Sequence, residues 1–325
     1  MKKPFFRFTV LIVLFLGFSL NAQEFSHVDS KVSSYPDSFS SLDKLAEKIN
    51  ADFIKEDEKA RAIFTWVAHH VSYDIGKYGV NERPVGFSYR TEAEKLEKLK
   101  ELNEDLATRT LKTQKGVCQG YCSLFVAIAE RVGLEAVIIP GTSKSHIAHI
   151  GDGPGAKDHA WNAVKIKGEW KLLDLTWGAG TATGSPLRFE YNFNDSYFFT
   201  SPDIFFLNHF PDEKKWLLTD KTENDFAGLP LYFGNYHKGK YELLSPQQGM
   251  ITDRKANILL FKIKNIKPQD TVVYAFSKSK QFKHVKPVFN GNIAEFKVPL
   301  EVGSNGYLML YINEKSVLAY RINRG

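Results

Sequence analysis

Cys118, His159 and Asp174 are the residues whose types could do chemistry together. A cysteine attacks as its thiolate, and both the positive end of a helix and a nearby imidazolium favour that form. A carboxylate beside the imidazole would hold it in one tautomer while the other ring nitrogen meets the thiol. That is the layout for acyl transfer through a covalent intermediate. Spacing alone does not single the three out, because the chain has nine His and a lone His or Asp in a strand is ordinarily structural. Cys122 is a rival nucleophile four residues on, but a position one turn deeper loses the helix-terminus effect and falls among core residues, so Cys118 is preferred. His146 with His149, and His69 with His70, lack a third ligand at metal-site spacing, so neither a metal nor any other cofactor is expected.

These side chains need elements to position them. Val117, Tyr121, Leu124, Phe125, Ile128 and Val132 form one apolar stripe, so residues 117–132 read as a helix with Cys118 in its first turn and Gly133 at its end. The period then changes. Residues 135–140, 160–166 and 170–175 read as strands, the last two joined by a tight turn near Lys167-Gly168, which sets His159 and Asp174 on one face as direct or diagonal neighbours. Trp161, Trp170 and Trp177 are expected to pack around them. Upstream, Leu42, Leu45, Ile49 and Phe53, then Ile63, Phe64, Val67, His70 and Val71, recur at helical spacing, and about 91–109 reads as a solvated helix or helix pair. The loops 76–89 and 141–158, both bearing Gly, flank this region, and the first is expected to be mobile. Helices followed by an antiparallel meander make an α+β domain.

Beyond Trp177 the chain is aromatic and loop-rich to about Tyr236. Strand patterns then follow at 258–266, 271–277, 307–312 and 317–322, with a hairpin over 287–298 signalled by Asn290-Gly291. They suggest a small β-sandwich of the Ig-like kind, opened by Ser245-Pro246. The expected organisation is a leader at 1–22, an extended Ser-rich lead-in at 23–40, an α+β domain at 41–236 and the sandwich at 237–325.

Residues 1–22 have a positive start, an apolar run from Phe8 to Leu20, and Ala22 before Gln23, which is the layout of a cleavable signal peptide. Export to the periplasm or the exterior is therefore expected, with no integral membrane span after cleavage. The formal charge of +6 falls to +3 without Lys2, Lys3 and Arg7, too balanced for a nucleic-acid partner. With only two cysteines in 325 residues, an exported chain is no disulfide scaffold; either the pair is structural, or at least one is a working thiol.

The runs Gly116-Val-Cys-Gln-Gly-Tyr-Cys122, Asp158-His-Ala-Trp-Asn162 and Trp170-Lys-Leu-Leu-Asp174-Leu-Thr-Trp-Gly178 resemble the transglutaminase-like superfamily in order and spacing. More narrowly they are similar to its branch of kyphoscoliosis peptidase and cytokinesis-protein relatives. Ala62-Ile-Phe-Thr-Trp66 with Tyr73-Asp74, and Phe198-Phe-Thr-Ser-Pro202 through His209-Phe-Pro211 to Trp216, also fit that branch, so the resemblance spans about 41–220. It implies a papain-like fold, in which a helix bundle packs on an antiparallel sheet, and a Cys118–His159–Asp174 triad acting on protein or peptide substrates. Thiolate attack on a peptide or carboxamide carbonyl would give a thioester. Water would release it in a peptidase or amidase, the reading the branch favours, and an amine in a transglutaminase-type cross-linker. The backbone N–H of Cys118 would be one oxyanion donor, with Trp66 or Gln119 supplying a second through its side chain. A non-catalytic binding or scaffold protein on the same fold is the competing expectation, with the C-terminal domain as a partner-binding module.

Overall fold

The computed structural model describes residues 25–77, 88–279, 281–301 and 303–324. The leader and most of the 76–89 loop lie outside them. Helices α1 (Ser26–Val32), α2 (Leu42–Asp52), α3 (Glu56–His70), α4 (Glu92–Thr113) and α5 (Cys118–Arg131) build the first layer. Short polar caps start two of them: Ser41 accepts from the N–H of Lys44, and Thr91 from that of Glu94. α5 ends as expected, with Gly133 at φ +84° and the Leu134 N–H returning to the Ala129 carbonyl.

The extended lead-in expected at 23–40 contains α1 instead. Val28 and Val32 are buried against α3, and Asp29 accepts from Arg61 through Nε at 2.8 Å and Nη2 at 2.6 Å, and from the Thr65 hydroxyl at 2.6 Å. Arg61 is itself buried, so this ion pair compensates a charge that the core would otherwise leave bare. α5 lies at the centre: Leu124, Phe125 and Ile128 are fully buried with Ile63, Phe64 and Val67 of α3, and the Tyr121 hydroxyl donates to the Val71 carbonyl at 2.6 Å.

On the other side α5 faces an antiparallel sheet of β1 (Ala136–Ser143), β2 (His159–Ile166), β3 (Glu169–Leu173), β4 (Phe198–Thr200) and β5 (His209–Pro211), in the order β4-β3-β2-β1-β5. β2 and β3 are closed by the Lys167-Gly168 turn, whose φ angles of +51° and +86° suit a tight hairpin. Asn162 of β2, with no exposed surface, donates to the carbonyls of Cys122 and Val137 and so ties α5 to two strands.

The C-terminal region is all β. One sheet runs Leu231–Tyr232, Lys315–Ile322, Gly306–Ile312, Val272–Phe276 and Phe282–Val285, with Met250–Ile251 parallel to Lys315–Ile322. The other runs Glu242–Ser245, Ile258–Lys264, Ile293–Pro299 and Val288–Asn290. Between them sit Phe261 and Phe296, stacked at 5.1 Å, with Leu308, Leu310 and Tyr320. The hairpin turn falls one residue later than Asn290-Gly291: Asn290 pairs with Ile293, leaving Gly291-Asn292 as the loop. Two further details depart from expectation. Leu231–Tyr232 pairs with Leu318 and Ala319, so the sandwich sheet recruits chain from before residue 237. A hairpin of Gly180–Thr183 and Arg188–Tyr191 lies within the stretch read as loop. Among the described residues no helix is long and apolar enough to cross a membrane.

Candidate active site

Cys118 is the first residue of α5 and is only partly buried. The N–H groups of a helix's first turn have no intrahelical acceptors, so they face the thiol's surroundings as donors. Next to Val117 a cleft of about 230 Å³ opens, with Asp74, Arg109 and Lys115 among its walls.

His159 is the first residue of β2, and its Nε2 lies 2.7 Å from Oδ2 of Asp174. The other ring nitrogen is not taken by Asp174, and Cys118 is near enough to the ring to favour its charged form. Asp174 follows β3 and caps the short helix α6 (Leu175–Ala179), its Oδ1 accepting from the Trp177 N–H at 3.1 Å. The β2–β3 register pairs Asn162 with Leu173, which makes 159 and 174 diagonal neighbours. Burial by itself would drive the proton off His159; the charge and hydrogen bond of Asp174, with help from the Cys118 thiol, win and raise it to about 10. Asp174 is subject to the same contest. Burial pushes it up, and the two histidines that contact it hold it far below the usual carboxylate range.

The second of those histidines is His209, which sequence reasoning did not single out. Its Nε2 lies 2.9 Å from the same Oδ2, and its Nδ1 lies 3.1 Å from the Phe205 carbonyl. Burial and the charge of His159 push it below the ordinary histidine range, against the pull of Asp174. The one available signal was the His209-Phe-Pro211 run already noted above. Aromatic rings enclose the group: Trp177 stacks on His159 at 5.4 Å, Trp161 stands 6.1 Å from it, and Phe205 stacks on His209 at 4.0 Å. Trp170 packs edge-on against Trp216 instead.

Both expected side-chain oxyanion donors have partners elsewhere in the protein. Trp66 has no exposed surface, and its indole N–H donates to the Pro36 carbonyl at 3.1 Å; it is a core aromatic stacked on His70. The Gln119 amide donates to Asn103 at 3.3 Å. Cys122 is 1% exposed, and burial, then the charges of Cys118 and Asp174, push its thiol well up, which counts against it as a nucleophile. His159, Asp174 and His209 form a group whose donor atoms are close enough for a metal, within 4.8 Å. Those atoms are already paired, both imidazoles on one carboxylate oxygen, which is an arrangement for holding protons.

The sequence pattern of the transglutaminase-like superfamily matches residues 43–175, which include Cys118, His159 and Asp174. This domain belongs to that superfamily. Kyphoscoliosis peptidase of Homo sapiens is 33% identical over 225 residues, covering 69% of this chain and 30% of that protein. The Mus musculus protein of the same name is 33% identical over 180 residues, 55% and 24% of the two chains. Hillarin of Drosophila melanogaster is 28% identical over 199 residues, 53% and 20%. These similarities put the transglutaminase-like domain in the kyphoscoliosis peptidase branch, and they span less than a third of each of the three relatives.

Proposed function

We propose that the protein is an exported, cysteine-dependent acyl-transfer enzyme that hydrolyses peptide or carboxamide bonds in protein or peptide substrates. The observation that carries this reading is the orientation of His159, with Nε2 on Asp174 and the other ring nitrogen left for Cys118, which acts on the ring from a helix start. The name of the human and mouse relatives favours hydrolysis over cross-linking. The leader favours action outside the cytoplasm.

In this mechanism the Cys118 thiolate attacks the carbonyl carbon, and the N–H groups at the start of α5 stabilise the oxyanion that forms. The C–N bond breaks as the His159 imidazolium gives its proton to the departing amine, leaving a thioester. Neutral His159 then takes a proton from water, the hydroxide adds to the thioester, and the acid leaves as the proton returns toward sulfur. Asp174 keeps the ring oriented in both half-reactions.

Site-resolved alkylation by iodoacetamide at about pH 6 tests the reading, because a free thiol is almost wholly protonated there. Cys118 should react at least tenfold faster than a free cysteine, the His159→Ala variant should lose that excess, and Cys122→Ser should keep it along with peptide hydrolysis. Unchanged Cys118 reactivity in His159→Ala would sink the proposal. N-terminal sequencing of the exported protein should begin at Gln23.

A further inference from the structure

We infer that His209 is a positioning residue of the site, a second N–H donor that fixes the Asp174 carboxylate so that its Oδ2 stays on His159. The inference rests on the proposed function above and adds a fourth member to the working set. Asp174 has no exposed surface, so no water can hold its oxygens in place, and every contact it keeps comes from the protein. Three donors are present: Trp177 N–H on Oδ1, and the Nε2 atoms of His159 and His209, both on Oδ2. His159 changes its protonation state in each half-reaction, whereas His209 and Trp177 do not take part. They hold the carboxylate during the steps in which His159 is neutral.

The ring nitrogens of His209 both face acceptors, the carboxylate on one side and the Phe205 carbonyl on the other. A neutral imidazole can donate to only one of them. The carboxylate is the stronger acceptor, so the proton sits on Nε2. The ring cannot swing away to relieve the other contact, because it is stacked on Phe205 at 4.0 Å and lies edge-on to Trp161 at 5.0 Å. His209 also begins β5, which is bonded to β1, itself the neighbour of the strand carrying His159. The backbone that places the donor is therefore part of the same sheet.

Two variants and one spectroscopic measurement on the full chain test this. His209→Phe keeps a ring to stack and removes the donor; His209→Gln keeps an N–H. Iodoacetamide alkylation of Cys118 across pH 5–9 should fall at least tenfold in His209→Phe near pH 6, with its acid limb moved to higher pH. His209→Gln should recover to within about threefold of the unaltered protein. A folded His209→Phe variant with the unaltered pH profile overturns the proposal. If that variant does not fold, ¹⁵N-histidine NMR of the unaltered protein decides. A hydrogen-bonded Nε2–H and a bare Nδ1 on His209 support it, and the opposite tautomer overturns it. Loss of the His159→Ala effect itself would instead bring down the proposed function, so the two failures are distinguishable.

Discussion

His159 holds a proton in a place where burial alone would remove it, and the reason is a carboxylate 2.7 Å away. The consequence has a definite sign. Its folded-state value is raised, from the ordinary 6.5 to about 10, so the stability contributed by the charged form is fully present below pH 6.5 and is lost as pH rises through about 10. The proposed peptide hydrolysis should therefore have an alkaline limb near pH 10, where His159, its proposed general acid, loses its proton. In Asp174→Asn that limb should move down by at least two pH units, with activity at pH 7 reduced on the order of 10³-fold or more, in keeping with loss of a triad carboxylate. An alkaline limb that stays put in Asp174→Asn would contradict the assignment of the pair. The three candidate residues were singled out by the motifs that resemble the transglutaminase-like superfamily, and each also has a local marker that made the set coherent: a helix start, a strand start, and a strand end joined by a two-residue turn. His209 had no such marker. It reaches Asp174 only because β5, thirty-five residues further on, pairs with β1, and long-range pairing leaves no trace in local spacing. Trp66 shows the reverse error, since an apolar helix face records burial without recording where an indole N–H points.

At the scale of elements, the sheet depends on a residue with no side chain. Gly141 of β1 pairs with His159 on one side and Pro211 on the other, and a Cβ there would lie 2.4 Å from both the Phe210 carbonyl oxygen and the Trp161 ring. Backbone on one side and a buried indole on the other cannot both yield. Gly141→Ala should then push β5 away from β1, lowering stability by about 2–3 kcal/mol as overpacked cores do. It should also slow Cys118 alkylation by separating His209 from Asp174. Urea unfolding and site-resolved alkylation measure the two effects, and a variant with unaltered values for both would show that the sheet has slack here. Strands and long helices were readable from their periods, α5 most of all. α1 was not, because seven residues show too little periodicity and the helix is held by a partner far along the chain, Arg61. The recruited strand Leu231–Tyr232 escaped for the same reason. Two residues have no pattern of their own, and only Lys315–Ile322 makes them a strand.

Across the whole molecule, the two regions are joined by buried polar groups that lead from the candidate site into the sandwich. Asn208, beside His209, donates to the carbonyls of Lys144 at 2.8 Å and Tyr232 at 3.0 Å, and accepts from Nε2 of His237 at 2.8 Å. His237 lies in the short helix α7 (Gly234–Lys238), where the neighbouring Phe233 N–H and Tyr236 hydroxyl bond residues of both sandwich sheets, Val317 and Leu243. The residues bracketing the expected boundary at 236/237 are thus a joint. Burial, and secondarily the charge of His209, push His237 down to about 3, so this joint is built for a neutral ring. The sign is opposite to that of His159. A depressed histidine contributes stability that is present above its unfolded value of 6.5 and is lost as pH falls from there toward about 3. Between pH 7 and pH 4.5 the full chain should lose about 2–3 kcal/mol through this group, read as a falling urea midpoint. His237→Gln, which keeps an N–H for Asn208 without titrating, should flatten that part of the slope, and alkylation of Cys118 should hold up better in it at low pH. If both proteins lose stability equally over this range, the acid sensitivity belongs to other groups. If His237→Gln is flatter but Cys118 reactivity falls as before, the joint carries stability alone and does not reach the site.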